Sequence, residues 1–279
     1  MSETTGTIYK ACQNPDSAAM LQCVSDSLQQ GQIDSAKDAN AWLLILASAL
    51  IFFMQAGFAM LCAGSVRLKN VGNTMLKNLL DACGAALGFF TVGYAFAFGG
   101  TGDGTTFIGT TYFFMDGIDD YAAWMFQFGK CRFAITSFLR HDLFKYMQVL
   151  TLLIGVAFAA TSCTIVAGTL AERCQMAAYL CYSVVLTGFV YPIVAHAIWS
   201  SNGFLSTYNV DPFLGIGMID FAGSGVVHIT GGSTAVFATM ILGPRKGRFY
   251  DARGNPLPKP KPFPGHSVAL QVRWQRSIA

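Results

Sequence analysis

Charge is what this sequence has least of. Asp, Glu, Lys and Arg make up 12% of its 279 residues, about half of the roughly 25% usual in soluble domains. That scarcity excludes an ordinary water-facing surface. The net charge is only +3, and the basic residues sit in loops beside apolar runs, so a nucleic-acid footprint is excluded as well. No P-loop, Gly-x-Ser-x-Gly, His-Glu-x-x-His or dinucleotide fingerprint occurs. The 8 cysteines include no Cys-x-x-Cys and no metal-ligand spacing. We therefore expect no enzyme and no cofactor. The first forty residues are polar, with neither a basic n-region nor a short apolar h-region, so no cleavable signal peptide is expected.

What is abundant is apolar length, with 53% hydrophobic residues. Runs at 42–66, 82–100, 176–200 and 221–243, with a fifth near 146–171, each match the roughly 20 residues a helix needs to cross the hydrocarbon core. They predict an all-α membrane protein with five transmembrane helices. Arg67, Lys69 and Lys77 fall between the first two, Arg173 between the third and fourth, and Arg245, Lys246, Arg248, Arg253, Lys259 and Lys261 after the fifth. The loops 101–120 and 201–219 have no Lys or Arg and carry Asp103, Asp116, Asp119, Asp120 and Asp211. The positive-inside rule then puts the N-terminus and the acidic loops outside. The expected division is an extracellular segment 1–40, a membrane domain 41–243, and a basic cytoplasmic loop and end 244–279.

One stretch points to chemistry. Asp220-Phe-Ala-Gly-Ser-Gly-Val-Val-His228 puts an acid at the edge of an apolar run and a histidine inside it. Ionisable groups at membrane depth are costly and mark functional sites. Gly223, Ser224 and Gly225 let another helix approach closely. Eight residues is just over two helical turns, so Asp220 and His228 are expected on one helix face. The plainer alternative is a buried pair tying helices together. Asp220 reads as a structural cap. Trp199 reads either as an interfacial anchor or as an aromatic face for a monovalent cation. Pro192 predicts a kink and His196 a hydrogen-bonded structural histidine. The stretch 55–64 reads as small-residue helix packing, and Asn70, Asn73 and Asn78 as candidate caps of the second helix. Cys62, Cys83, Cys163 and Cys181 fall in spans as small hydrophobes, and Cys174 lies just beyond the third span. Cys12 and Cys23 are either a disulfide, within or between subunits, or free thiols.

Five motifs together carry a family resemblance: Met54-Gln-Ala-Gly-Phe-Ala-Met60, Arg67-Leu-Lys-Asn-Val71, Leu170-Ala-Glu-Arg173, Tyr191-Pro-Ile-Val-Ala-His196 and Asp220 through Ile229. Over about 40–128 and 157–271 the chain resembles the plant and algal branch of the ammonium transporter/methylammonium permease/Rhesus superfamily. The resemblance implies an eleven-helix inverted-repeat fold, homotrimers in a plasma membrane, and ammonium or ammonia as substrate. It implies that Trp199 recruits ammonium at the outer mouth and that Phe158 is one ring of a phenylalanine gate. Phe126 then stands in the vestibule beside Gln127, Asp220 is the structural aspartate, and His228 is the first of two pore histidines. Such a dry pore would reject hydrated Na⁺ by its desolvation cost, and K⁺ because K⁺ has no proton to give up.

Two segments depart from that pattern. The family runs from Trp-Met-Phe-Gln-Phe directly into Ala-Phe-Ala-Ala-Thr, whereas here 129–156 intervenes. After Gln271 the family continues into a sixth helix, whereas this chain reads 272–279 and stops. Both junctions are compatible with a splice donor, so both segments are expected to be unspliced intron. The chain would then lack helices six to eleven, half of the repeat pair, with His228 turned toward lipid. It is expected to be inactive alone. The rival reading is a non-conducting half-transporter that associates with and modulates full-length subunits. A haem protein using His196 and His228 would need axial histidines at matched depth, which these two positions do not offer.

Overall fold

The computed structural model describes residues 17–100, 104, 106–116, 143–251 and 253–272. Five long helices carry most of them: α1 (Ser17–Ser65), α2 (Leu68–Phe98), α3 (Leu143–Leu170), α4 (Met176–Trp199) and α5 (Ser224–Leu242). No strand occurs among the described residues, only isolated bridges such as Thr106–Gly203 and Ser206–Met218. Four stretches, Ile45–Ser65 of α1 and the whole of α2, α4 and α5, are long and apolar enough to cross a membrane. In α3 the apolar stretch Ile154–Leu170 is shorter. A helix satisfies its own backbone in lipid, which is why such a sequence folds this way. The chain is an all-α, multi-pass membrane protein.

The helices zigzag. α2 and α4 run parallel, with Tyr94–Phe98 packed on Tyr191–Trp199. The loops after α1, α3 and α5 meet at one end, where Arg67 and Arg245 converge on Glu172. This is the basic end, and the described loop residues that include Asp116 and Asp211 lie at the other. α3 is the central helix, contacting α1, α2 and α5, and Ala159, Ala160, Thr161, Ser162, Cys163 and Thr164 along it are fully buried.

Boundaries depart from the sequence expectation in two places, α1 and α2. α1 has 49 residues, roughly 74 Å at about 1.5 Å per residue. No break falls at residue 40, and the polar segment from Ser17 on belongs to the same rod. α2 begins at Leu68 rather than 82, so Lys77 lies inside a helix and not in a loop, together with Asp81. Both charges are tolerated because both are partnered. Lys77 Nζ donates to the Cys174 carbonyl at 2.8 Å and lies 5.0 Å from the Tyr179 ring centroid, while Asp81 accepts the Tyr179 hydroxyl at 2.6 Å. α3 runs without interruption through the junction at 156/157. Gly155, inside the extra segment, is packed under Phe89: a Cβ there would lie 2.5 Å from the ring.

Small residues fix the α2–α4 crossing. A Cβ at Gly88 would meet Thr187 Oγ1 at 2.8 Å, and one at Gly84 would meet Ser183 Oγ at 2.8 Å. Both helices loosen to a π turn at this level, at Phe89–Gly93 and Leu186–Val190. In α4 the cause is Pro192, whose ring has no N–H for the carbonyl four residues back. The expected asparagine caps are absent. Asn70 makes no side-chain cap bond and instead donates to Glu172, and Asn78 donates to Thr74 O within α2 at 2.8 Å.

Candidate functional site

At the acidic end, α4 stops at Trp199 and α5 starts beyond Gly223. Asp220 precedes α5, and its carboxylate collects four backbone N–H groups: Gly223 at 2.8 Å, Ser224 at 2.9 Å, Gly225 at 2.8 Å and Val226 at 2.8 Å. The chain can curl around the carboxylate because Gly223 takes φ +84, a conformation costly for other residues. Desolvation alone would raise the Asp220 pKa, but these N–H donors outweigh it and hold the carboxyl below its ordinary range. The Asp220 carbonyl accepts the Trp199 indole N–H at 2.7 Å. Against Trp199 stands Phe158 of α3, with ring centroids 5.4 Å apart and planes at 50°. Three helices thus contribute to one half-buried aromatic pair above a capped helix start.

His228 sits one turn into α5, in a π segment Ser224–Ile229, with its N–H on Gly223 O at 2.9 Å. The expected shared helix face is not found: Asp220 lies outside the helix and curls back under its first N–H groups. The Asp220 side chain is buried and that of His228 exposed. So Trp199, Phe158 and Asp220 come together, and His228 stands on the helix that they anchor. Phe126, Gln127 and Cys12 lie outside the described residues, and Cys23 is disulfide-bonded. His196 is fully buried. Its Nδ1 donates to Ala97 O at 2.9 Å and its Nε2 pairs with the Thr106 hydroxyl at 2.8 Å, an arrangement that fits one neutral tautomer. Among the described residues no group of His, Cys, Asp and Glu is placed to hold a metal.

The model of the Ammonium Transporter Family matches residues 41–271. The chain belongs to that family. It is 43% identical over 237 residues to ammonium transporter 1 member 3 of Solanum lycopersicum, covering 84% of this chain and 44% of that protein. Ammonium transporter 3 of Dictyostelium discoideum is 38% identical, over 88% of this chain and 47% of its own length. The ammonium transporter Amt2 of Archaeoglobus fulgidus is 40% identical, over 83% and 43%. Among solved structures, the Sensor Amt Protein superposes with a TM-score of 0.63 at 28% identity, covering 86% of this chain and 52% of its own. Candida albicans Mep2, with TM-score 0.60 and 24% identity over 86% of this chain and 45% of its own, shares the fold. The chain spans about half the length of the relatives it matches; the three sequence relatives are named ammonium transporters, and the family is one of transporters and not of enzymes.

Sequence reasoning missed a second polar centre in this ammonium-transporter half. Asp81 of α2 is fully buried. It accepts Tyr179 Oη at 2.6 Å, Cys163 Sγ at 3.1 Å and, more weakly, Thr164 Oγ1 at 3.5 Å, and Gln55 Nε2 donates to Thr164 in turn. Gln55 Oε1 and Asn78 Oδ1 are buried without a hydrogen-bond partner. The available signal was an acid four residues after Lys77, a spacing that puts both on one helical face. Nearer the basic end, a cavity of about 240 Å³ opens beside Asn73, Lys77, Glu172 and Cys174. Glu172, at φ +64, accepts Arg67 Nε at 3.0 Å and faces Arg245 at 3.5 Å. Desolvation would raise its pKa, but the Arg67 and Asn70 hydrogen bonds and the Arg245 charge bring it below the ordinary value.

Proposed function

We propose that this chain supplies the recruiting half of an ammonium-conducting pore, with the basic end in the cytoplasm of a plasma membrane. The observation that carries the reading is the Trp199–Phe158 pair fastened to Asp220. An ammonium ion at the acidic mouth meets the indole face, the strongest of the aromatic cation–π partners. Asp220, the charge that fastens this pair, is consumed by backbone N–H groups and does not trap the ion. Beyond the rings a dry, apolar passage would disfavour the charged form, so that ammonia proceeds after the ion gives up its proton. His228, on the helix whose start Asp220 holds, is the first group able to hydrogen-bond ammonia and pass a proton on.

The exposed face of α5, with His228, Val236, Phe237, Met240 and Ile241, is then the lining and packing surface for the other half of the pore, within a homotrimer. The test is methylammonium uptake in cells without their own carriers. The chain would be expressed alone, together with a relative's second half, and together with a full-length relative. Uptake only when the second half is present supports the reading. No uptake in that pairing, with both pieces in the membrane, sinks it. Suppression of the full-length relative's uptake would instead favour a modulating half-transporter.

A further inference from the structure

The loop after α5 holds six basic residues between 243 and 264, Arg245, Lys246, Arg248, Arg253, Lys259 and Lys261, against one acid, Asp251. It is an ordered hairpin: Leu257 N donates to Phe249 O at 2.7 Å, Lys261 N to Arg248 O at 2.8 Å, and Asp251 closes the turn by accepting Arg253 N at 2.8 Å. Prolines at 256, 258, 260, 262 and 264 stiffen its return limb, since each fixes φ near about −65°. The limb is stapled to the basic end of α1, with His266 N on Val66 O at 3.0 Å and the Arg67 guanidinium 3.9 Å from the Phe263 ring centroid. Leaving the end of α5 and returning to the end of α1, the hairpin is held at both ends against the basic end of the helices.

Two of the six cations are engaged within the protein, Arg245 on Glu172 and Arg248 over Phe249. Lys246, Arg253, Lys259 and Lys261 are exposed, and no described ion pair holds them. Phe249 and Tyr250 are exposed beside them, at 40% and 54%. Setting membrane orientation needs only positive charge near a helix end. It needs neither a rigid hairpin nor aromatics at its tip. We propose that this hairpin is a docking surface for anionic phospholipid headgroups of the leaflet it faces, a role separate from conduction. The four free cations meet the headgroup charge, and Phe249 and Tyr250 settle at the interface beside them.

The test uses the purified chain in detergent with equimolar phosphatidylcholine and phosphatidylserine, counting retained lipids by native mass spectrometry. The expected result is a preference for phosphatidylserine of about fivefold or more, falling toward parity in the Lys246→Gln, Arg253→Gln, Lys259→Gln, Lys261→Gln variant. Equal retention by the unaltered chain overturns the proposal. So does a preference that survives in the variant, because the lipid is then held elsewhere. If the variant does not remain monodisperse, the unaltered chain in about 0.5 M NaCl decides: loss of the preference supports the proposal and its persistence overturns it. Displacement of phosphatidylserine by a micromolar Glu-rich peptide would assign the surface to an acidic protein, and the proposal fails.

Discussion

The Trp199 indole N–H donates to the Asp220 backbone carbonyl at 2.7 Å, while the Asp220 carboxylate gathers the N–H groups of Gly223, Ser224, Gly225 and Val226. One residue therefore fixes the aromatic face through its carbonyl and starts α5 through its side chain. The position of the indole and that of His228 cannot drift independently. This coupling separates two contributions of Trp199. Trp199→Leu removes ring and hydrogen bond, and in a completed transporter the apparent ammonium affinity should fall about 2- to 30-fold, the range of ~0.5–2 kcal/mol for a cation on an aromatic face. Trp199→Phe keeps a ring but loses the tether, and should fall between. Concentration-dependent uptake checks both, and unchanged affinity in the leucine variant would remove the recruiting role.

Asp220 gives the fold a pH dependence whose sign follows from its donors. Its folded pKa lies below the ordinary carboxylate value. The stabilisation is therefore present above the unfolded pKa, near about 3.9, and is lost as pH falls through the folded value. Asp220→Asn should cost about 1–3 kcal/mol at neutral pH, since one amide oxygen cannot serve four N–H groups. Thermal unfolding of both proteins at neutral pH and near pH 3 is the measurement. The gap between them should narrow in acid, and a gap that holds or widens contradicts the assignment.

The sequence made the spans legible because lipid demands uninterrupted apolar length, and most of the helices in the structure lie within a few residues of the apolar runs. Motif order picked out Asp220, Trp199 and Phe158, which the structure brings into contact. Three things escaped the sequence. The start of α2 was hidden because Lys77 and Asp81 look like loop charges until Tyr179 and Cys174, about a hundred residues later, supply partners. The face of His228 was misjudged because eight residues were counted as regular helix, whereas Asp220 stands outside it and the first turn is π. The helical state of the polar segment from Ser17 on was not read, since nothing apolar marks it.

Asp81 is the strongest candidate for a hidden structural charge. Asp81→Ala strips the acceptor from Tyr179, Cys163 and Thr164 at once. Each buried donor left without its acceptor costs about 1–3 kcal/mol, so the loss of all three exceeds the loss of one. Tyr179→Phe removes a single donor and should cost nearer about 1–2 kcal/mol. Midpoints of thermal unfolding in detergent test the ordering. If the alanine variant is as stable as the parent, the network contributes nothing and Asp81 serves another purpose.

His228 is exposed in this chain and yet rides on the helix whose first turn Asp220 organises, so its role depends on what covers it. With the second half present, the imidazole can both hydrogen-bond ammonia and exchange a proton. His228→Gln preserves a hydrogen-bonding side chain of similar reach but cannot take up a proton near neutrality, while His228→Ala removes both. Positioned proton transfer by a side chain is worth about 10²–10⁴ in rate. If the relay matters, both variants should lose at least about tenfold in uptake, the glutamine variant nearly as much as the alanine. If only the hydrogen bond matters, glutamine should retain most of the rate and alanine should not. Uptake normalised to membrane-inserted protein distinguishes the two, and unimpaired uptake in both would take His228 out of the pathway altogether.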